Sequence, residues 1–121
     1  MASAQHSAVL DESVLADILA LAAPGEPNAL AEVTQLFLSS FAGDLRALRT
    51  AIAAKDLESV GRVAHRMRGS ALGIGAIRVV PICAAIEEAA RAGCLDLPVE
   101  EAAGLDQEFA FACLALKQAS R

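Results

Sequence analysis

Tryptophan and tyrosine are absent from this chain, and four phenylalanines are its only aromatic residues. A core made from it is therefore expected to be aliphatic. The runs of alternating β-branched and aromatic residues that strands need are missing as well, which excludes a sheet. The three cysteines, Cys83, Cys94 and Cys113, are an odd number at wide spacing with no C-x-x-C pair. Neither a zinc site nor a disulfide framework fits that pattern, so they read as small apolar fillers in a reducing compartment. No apolar stretch approaches the ~20 residues of a membrane helix. The opening "MASAQHSAVLDES" has no basic start and no long apolar run, so it does not read as a secretory signal, and a cytoplasmic protein is expected. G-x-G-x-x-G and G-K-[ST] are both missing, and no strand precedes the glycines of "GSALGIGA", which excludes a phosphate-cradling nucleotide loop.

What the chain does have is aliphatic and small. Hydrophobic residues make up 55% of its 121 positions, and 28 of the positions are alanine, the strongest helix former. The length suits one domain. Residues 1–10 read as a flexible N-terminal tail and 11–121 as a helical bundle. A short first helix is expected from Asp11 to about Ala22, stopped by "PGEP", with Leu10, Val14, Leu15, Ile18 and Leu19 as its apolar stripe. A long second helix runs from Pro27 to about Lys55, where Leu30, Val33, Phe37, Phe41, Leu45, Leu48 and Ile52 repeat at three and four and Leu36 and Leu38 widen the stripe. Asp56 is placed to cap a third helix that frays at Gly73 and Gly75. A fourth ends at Gly93, starting either at Ala76 with a kink at Pro81 or later, near Val80. A fifth begins at Pro98. Short connections make neighbours antiparallel. The expected architecture is all-α, an antiparallel up-and-down four-helix bundle with a short additional N-terminal helix, and it has no need of a dimer.

Charge is unevenly spread. The net charge of −5 argues against nucleic acid, whose phosphates call for a basic surface. Yet no acidic residue occurs between Ser59 and Ile86, while Arg62, Arg66, Arg68 and Arg78 fall there around His65. On a helical wheel, Leu57, Val60, Ala64, Met67 and Ala71 form the core stripe of the third helix, and His65 lies about 100° or more away, pointing outward. Gly61, Arg62, Arg68 and Gly69 share its face. Each interior glycine costs about 1 kcal/mol relative to alanine, so two beside one imidazole call for a reason. Removing side chains above and below the ring lets another surface approach it, and the arginines suit an anion. An exposed imidazole with cleared space and cationic neighbours fits a phosphoryl group.

The stretch "AHRMRGSALGIGA" resembles the signature of histidine-containing phosphotransfer domains, through Ala64, His65, Met67, Gly69, Ser70, Ala71, Ile74, Gly75 and Ala76. That family is a helical bundle of about this length. The resemblance departs at Arg68, where the family usually has lysine: the charge is kept, but a forked guanidinium replaces a compact ammonium. It implies that His65 accepts a phosphoryl group from an aspartyl phosphate on a response-regulator receiver domain and passes it to another. A hybrid sensor histidine kinase is a further implied partner. The receiver brings Mg²⁺ and the acidic pocket, and this chain has no cofactor, metal site or ATP site of its own, hence no enzymatic turnover. Neutral imidazole is a good nucleophile near pH 7. The resemblance also implies a hydrogen-bond acceptor for Nδ1 at the position 22 residues after the histidine, here Glu87, with Glu88 as the neighbour to suspect if Pro81 shifts the register.

The surrounding residues carry alternatives. Arg68 is a candidate phosphoryl contact, or an ordinary solubilising charge. Arg62 and Arg66 are candidates for partner docking or for plain surface charge. Ser70 either assists the phosphoryl site or merely occupies its helix, and Leu72 either belongs to the core or offers an apolar contact beside the histidine. Gly61 and Gly69 belong to the docking face. His6 is assigned nothing. Two rival functions remain: a helical interaction domain that carries no phosphate, and the histidine-bearing domain of a chemotaxis-type kinase, which Glu87 in place of Gln fits somewhat.

Overall fold

The computed structural model describes residues 9–20, 29–94 and 96–119, and among these it is helical with no strand. α1 spans Glu12–Ala20, α2 Ala29–Ala53, α3 Leu57–Ile74, α4 Val79–Arg91 and α5 Asp96–Ala119. α2, α3, α4 and α5 each pack on the next, and α5 returns to α2, closing a four-helix ring; α1 lies across α2 and α3. Partners descend one helix as they climb its neighbour. Gly61 faces Ala90 while His65 meets Glu87, and Phe41 meets Phe109 while Arg49 pairs with Asp106. The neighbours are therefore antiparallel, as three-to-four-residue connections require.

Each helix buries the stripe its spacing dictates. Leu30, Phe37, Phe41, Leu45 and Leu48 of α2 meet Val60, Ala64, Met67 and Ala71 of α3, with Val79, Cys83 and Ile86 of α4 and Leu105, Ala112 and Leu116 of α5 completing the core. Each large side chain fully buried there contributes roughly 1.5–3 kcal/mol relative to exposure. The core is not purely aliphatic, however. Phe37, Phe41 and Phe109 form one cluster between α2 and α5, with ring centroids 4.6 to 5.9 Å apart. Composition alone understated this, because three of the four aromatics converge on one interface. Leu36 and Leu19, assigned to apolar stripes, sit at their outer edges and are exposed, Leu36 at 71%. Burial drives the Cys83 thiol up to about 12, so it stays protonated and acts as a filler.

Helix ends differ from expectation in informative ways. Asp56 caps α3 as expected, accepting from the Ser59 amide at 3.2 Å and from its hydroxyl at 2.7 Å, and these bonds hold its carboxyl below the usual range. The third helix does not fray at Gly73. It continues to Ile74, and Gly75 closes it with φ +78°. There the Ala76 amide donates to the Ala71 carbonyl at 2.9 Å, the arrangement of a left-handed C-terminal cap. α4 starts late, at Val79, so Pro81 falls in its first turn, where no intrahelical partner awaits an N–H. The open question about Pro81 thus resolves without a kink. α5 begins at Asp96, two residues before Pro98, for the same reason. The expectation of a flexible tail over 1–10 does not hold for its last two residues: Val9 packs on the core and Leu10 is buried within it. Residues 1–8, the "PGEP" break and the start of the second helix at Pro27 lie outside the described residues. No helix among the described residues is long and apolar enough to cross a membrane.

Gly75 does more than end a helix. Its carbonyl accepts from the Asp11 amide at 2.8 Å, fastening α1 to the α3–α4 corner. A Cβ at position 75 would stand 3.1 Å from the Asp11 carbonyl oxygen and 3.2 Å from Val14 Cβ. Gly75→Ala combines the left-handed backbone penalty with that contact, so it should destabilise the fold by about 2 kcal/mol. Urea denaturation followed by circular dichroism measures the loss.

Candidate functional site

Two adjacent helices of the ring make the site. α3 carries Gly61, Arg62, His65, Arg68, Gly69 and Leu72 on one outward face, because three- and four-residue steps bring side chains around to the same side. α4 runs alongside and supplies Glu87, Ala90 and Arg91. Leu57, Glu58, Gly61, Arg62 and His65 line one side of an open groove of about 470 Å³, and Glu87, Ala90 and Arg91 line the other.

His65 projects outward, its side chain 64% exposed, while Glu87 beside it is only 11% exposed. Nδ1 of the ring lies 2.9 Å from Glu87 Oε2. Of the two adjacent glutamates, the register of α4 chooses Glu87; Glu88 points into solvent and pairs weakly with Arg91 at 3.4 Å. A carboxylate only accepts, so when Nδ1 donates its proton to Glu87, Nε2 keeps a free lone pair. Arg68 Nη2 stands 3.2 Å from Nδ1 and 3.5 Å from Glu87 Oε1, on the side of the ring that carries Nδ1. Arg91, one turn beyond Glu87, places Nη2 3.1 Å from Oε2. A nearly buried carboxylate is thus ringed by an imidazole and two guanidiniums, which repays its desolvation.

The other candidates separate into distinct places. Arg62 lines the groove and donates to the Ser59 hydroxyl at 3.0 Å. Arg66 does not stand free: Nε and Nη2 both reach Asp44 Oδ1, at 3.1 and 2.9 Å, tying α3 to α2 and raising the arginine's pKa further. Gly69 has open space around it, with nothing within 4 Å of an added Cβ. Gly61 is less bare. An added Cβ there would touch Ala90 Cβ at 3.6 Å, so this glycine deepens the groove between α3 and α4. Ser70 is not beside the histidine; it lines a different hollow against α2 with Val33, Leu36, Phe37 and Ser40. The reason is angular: five residues from His65, it lies well around the helix. Leu72 is 54% exposed and so is not core, lying two turns from His65 on the same face.

Arg91 and Asp44 escaped the sequence reading. Arg91 had a signal, since a Glu followed four residues later by Arg is a standard helical ion pair. Asp44 had none, because only the packing of α2 on α3 reveals that a carboxylate one turn from Phe41 has a guanidinium waiting for it. Among the described residues, no group of three or more histidines, cysteines and carboxylates gathers to hold a metal.

The Hpt domain family model matches residues 32–118, which include both helices of the site. Among solved structures, the chain is similar to histidine-containing phosphotransfer protein B from Pseudomonas aeruginosa PAO1, with 27% identity, a TM-score of 0.84, and coverage of 93% of this chain and 94% of that one. Its fold is shared by histidine-containing phosphotransfer proteins of Medicago truncatula, at 22% identity and TM-score 0.81 over 97% of this chain and 84% of that one. The maize protein is alike at 22% and 0.78, over 95% and 89%. No curated protein matches by sequence.

Arg66→Ala would leave Asp44 with its remaining oxygen already unpaired and no cation beside the other. Because the pair is half exposed on the arginine side, the expected loss of stability is about 1–2 kcal/mol rather than the larger value of a sealed pair. Chemical denaturation of this variant and of Arg66→Ala with Asp44→Asn measures it, and the double variant should recover part of the loss.

Proposed function

The chain belongs to the Hpt domain family, and from that premise we propose that His65 is the residue through which it carries a phosphoryl group between receiver domains. The chain is a phosphorelay intermediate of two-component signalling. The observation that carries the assignment to His65 is the 2.9 Å contact between Nδ1 and Glu87 on an otherwise exposed ring.

In the proposed step, the Nε2 lone pair attacks the phosphorus of an aspartyl phosphate on the receiver. The Nε2–P bond forms as the bond from phosphorus to the aspartyl oxygen breaks, and the aspartate carboxylate leaves with that electron pair. Nδ1 keeps its proton throughout, so the phosphorylated ring acquires a positive charge that Glu87 lies against. Transfer onward is the same step in reverse, onto a second receiver's aspartate. Such transfers depend on in-line placement and charge neutralisation more than on covalent help. The receiver supplies Mg²⁺ and its acidic pocket. This chain supplies the nucleophile, the acceptor that selects its tautomer, and cations beside it. Arg68, parked near Nδ1 and Glu87, has the reach of a long side chain and is the residue we assign to the incoming phosphoryl oxygens. Gly69 and Leu72 offer the receiver a bare strip and an apolar contact, and Arg62 a rim charge for encounter. A single copy of the chain presents all of these groups.

Incubation with a phosphorylated receiver tests the reading. Label should pass to the wild type and be absent from His65→Gln, whereas a helical domain without a carrier role would take none with any competent donor. Label from ATP and a kinase domain, with none from receivers, would instead identify the domain of a chemotaxis-type kinase. Gly69→Leu should slow transfer about tenfold or more, the rate equivalent of ~1.4 kcal/mol of lost positioning, while its melting temperature stays close to that of the wild type. Equal transfer rates would show that the bare strip is not where the receiver docks.

A further inference from the structure

Nδ1 of His65 faces two groups that make opposite demands on it. Glu87 Oε2, at 2.9 Å, can only accept, so Nδ1 must carry a proton to bond it. Arg68 Nη2, at 3.2 Å, can only donate, so Nδ1 must present a lone pair to bond that. A neutral imidazole has one proton, and Nδ1 satisfies one partner or the other. The choice has a chemical consequence. With Nδ1–H donated to Glu87, Nε2 is bare and nucleophilic. With Nδ1 accepting from Arg68, the proton sits on Nε2 and the lone pair needed for attack is gone.

A third group bears on that choice. Arg91 Nη2 lies 3.1 Å from the same Oε2 that meets the ring, while its Nη1 reaches Glu88 Oε2 at 3.4 Å. The other oxygen of Glu87, Oε1, draws Arg68 Nη2 to 3.5 Å, away from an exclusive bond with the ring. We infer that Arg91 is a positioning residue: by anchoring Oε2 against His65 it keeps Glu87, and not Arg68, as the partner of Nδ1, and so maintains the tautomer in which Nε2 is free to accept a phosphoryl group. The device follows from a carboxylate at position 87. A neutral amide there would give Arg91 no ion pair and Arg68 a weaker rival bond. The functional consequence rests on His65 being the phosphoacceptor, but the tautomer itself does not.

Long-range ¹H–¹⁵N correlation spectra of the imidazole, recorded in alkaline buffer, report the tautomer without any phosphate present. The wild type should be mainly Nδ1–H. Arg91→Ala should lower the ratio of Nδ1–H to Nε2–H by about threefold, the size expected for losing a part-exposed charge-assisted bond. Arg91→Lys should restore most of it, and the rate of phosphoryl acceptance should follow the Nδ1–H population across the series. Arg91 is two-thirds exposed in the last turn of α4, so these variants should fold, which circular dichroism checks. An unchanged ratio in Arg91→Ala, or a wild-type ring that is mainly Nε2–H, overturns the inference. A shifted tautomer in a chain that no receiver phosphorylates would support the role of Arg91 and remove the phosphoacceptor reading instead.

Discussion

Glu87 accepting a hydrogen bond from Nδ1 of His65 is the contact on which the rest of the site depends. Without it the imidazole is an exposed side chain on a solvated helix face, free to rotate and to place its proton on either nitrogen. With it, the ring is held in one orientation, and donation from Nδ1 to the carboxylate would leave Nε2 bare. The bond exists because α3 and α4 run antiparallel at a spacing that puts Gly61 against Ala90 at one level and His65 beside Glu87 a turn later. Small residues let the two helices come close enough for a side chain on each to meet, a constraint of helix packing more than of catalysis.

Electrostatics then shapes what the packing allows. Glu87 is close to buried, a costly place for a lone carboxylate, and it persists there because His65, Arg68 and Arg91 surround it. The same cations that make the carboxylate tolerable stand beside the exposed ring. An acidic chain thereby gathers arginines beside the ring, with Glu58 and Glu88 standing there as well, next to a surface stripped of bulk at Gly69. Arg66 is drawn off to Asp44 on the opposite flank of α3, so the cationic face is narrower than the run of arginines suggests.

The turn between α3 and α4 links motif to architecture. Gly75 belongs to the same stretch of sequence as His65, yet its work is structural: a left-handed cap, a carbonyl for the Asp11 amide, and no side chain where α1 passes. The late start of α4 after it admits Pro81 and sets the register that brings Glu87, rather than Glu88, to the ring. A short motif thus carries both the reactive side chain and the corner that aims the neighbouring helix at it.

Periodicity and composition were enough to determine that the chain is all-helical, which faces of α2 and α3 are buried, and that His65 points outward, because these follow from local spacing along one helix. The spacing of Gly69, Leu72 and His65 on one face was legible for the same reason. Only tertiary packing decided that Phe109 packs on Phe37 and Phe41, that Arg66 is engaged by Asp44, that Ser70 faces α2, and that Glu87, with Arg91 beside it, meets the ring. Each of those is a meeting between helices, or rests on one, and a meeting depends on register and approach distance, which no single helix encodes by itself.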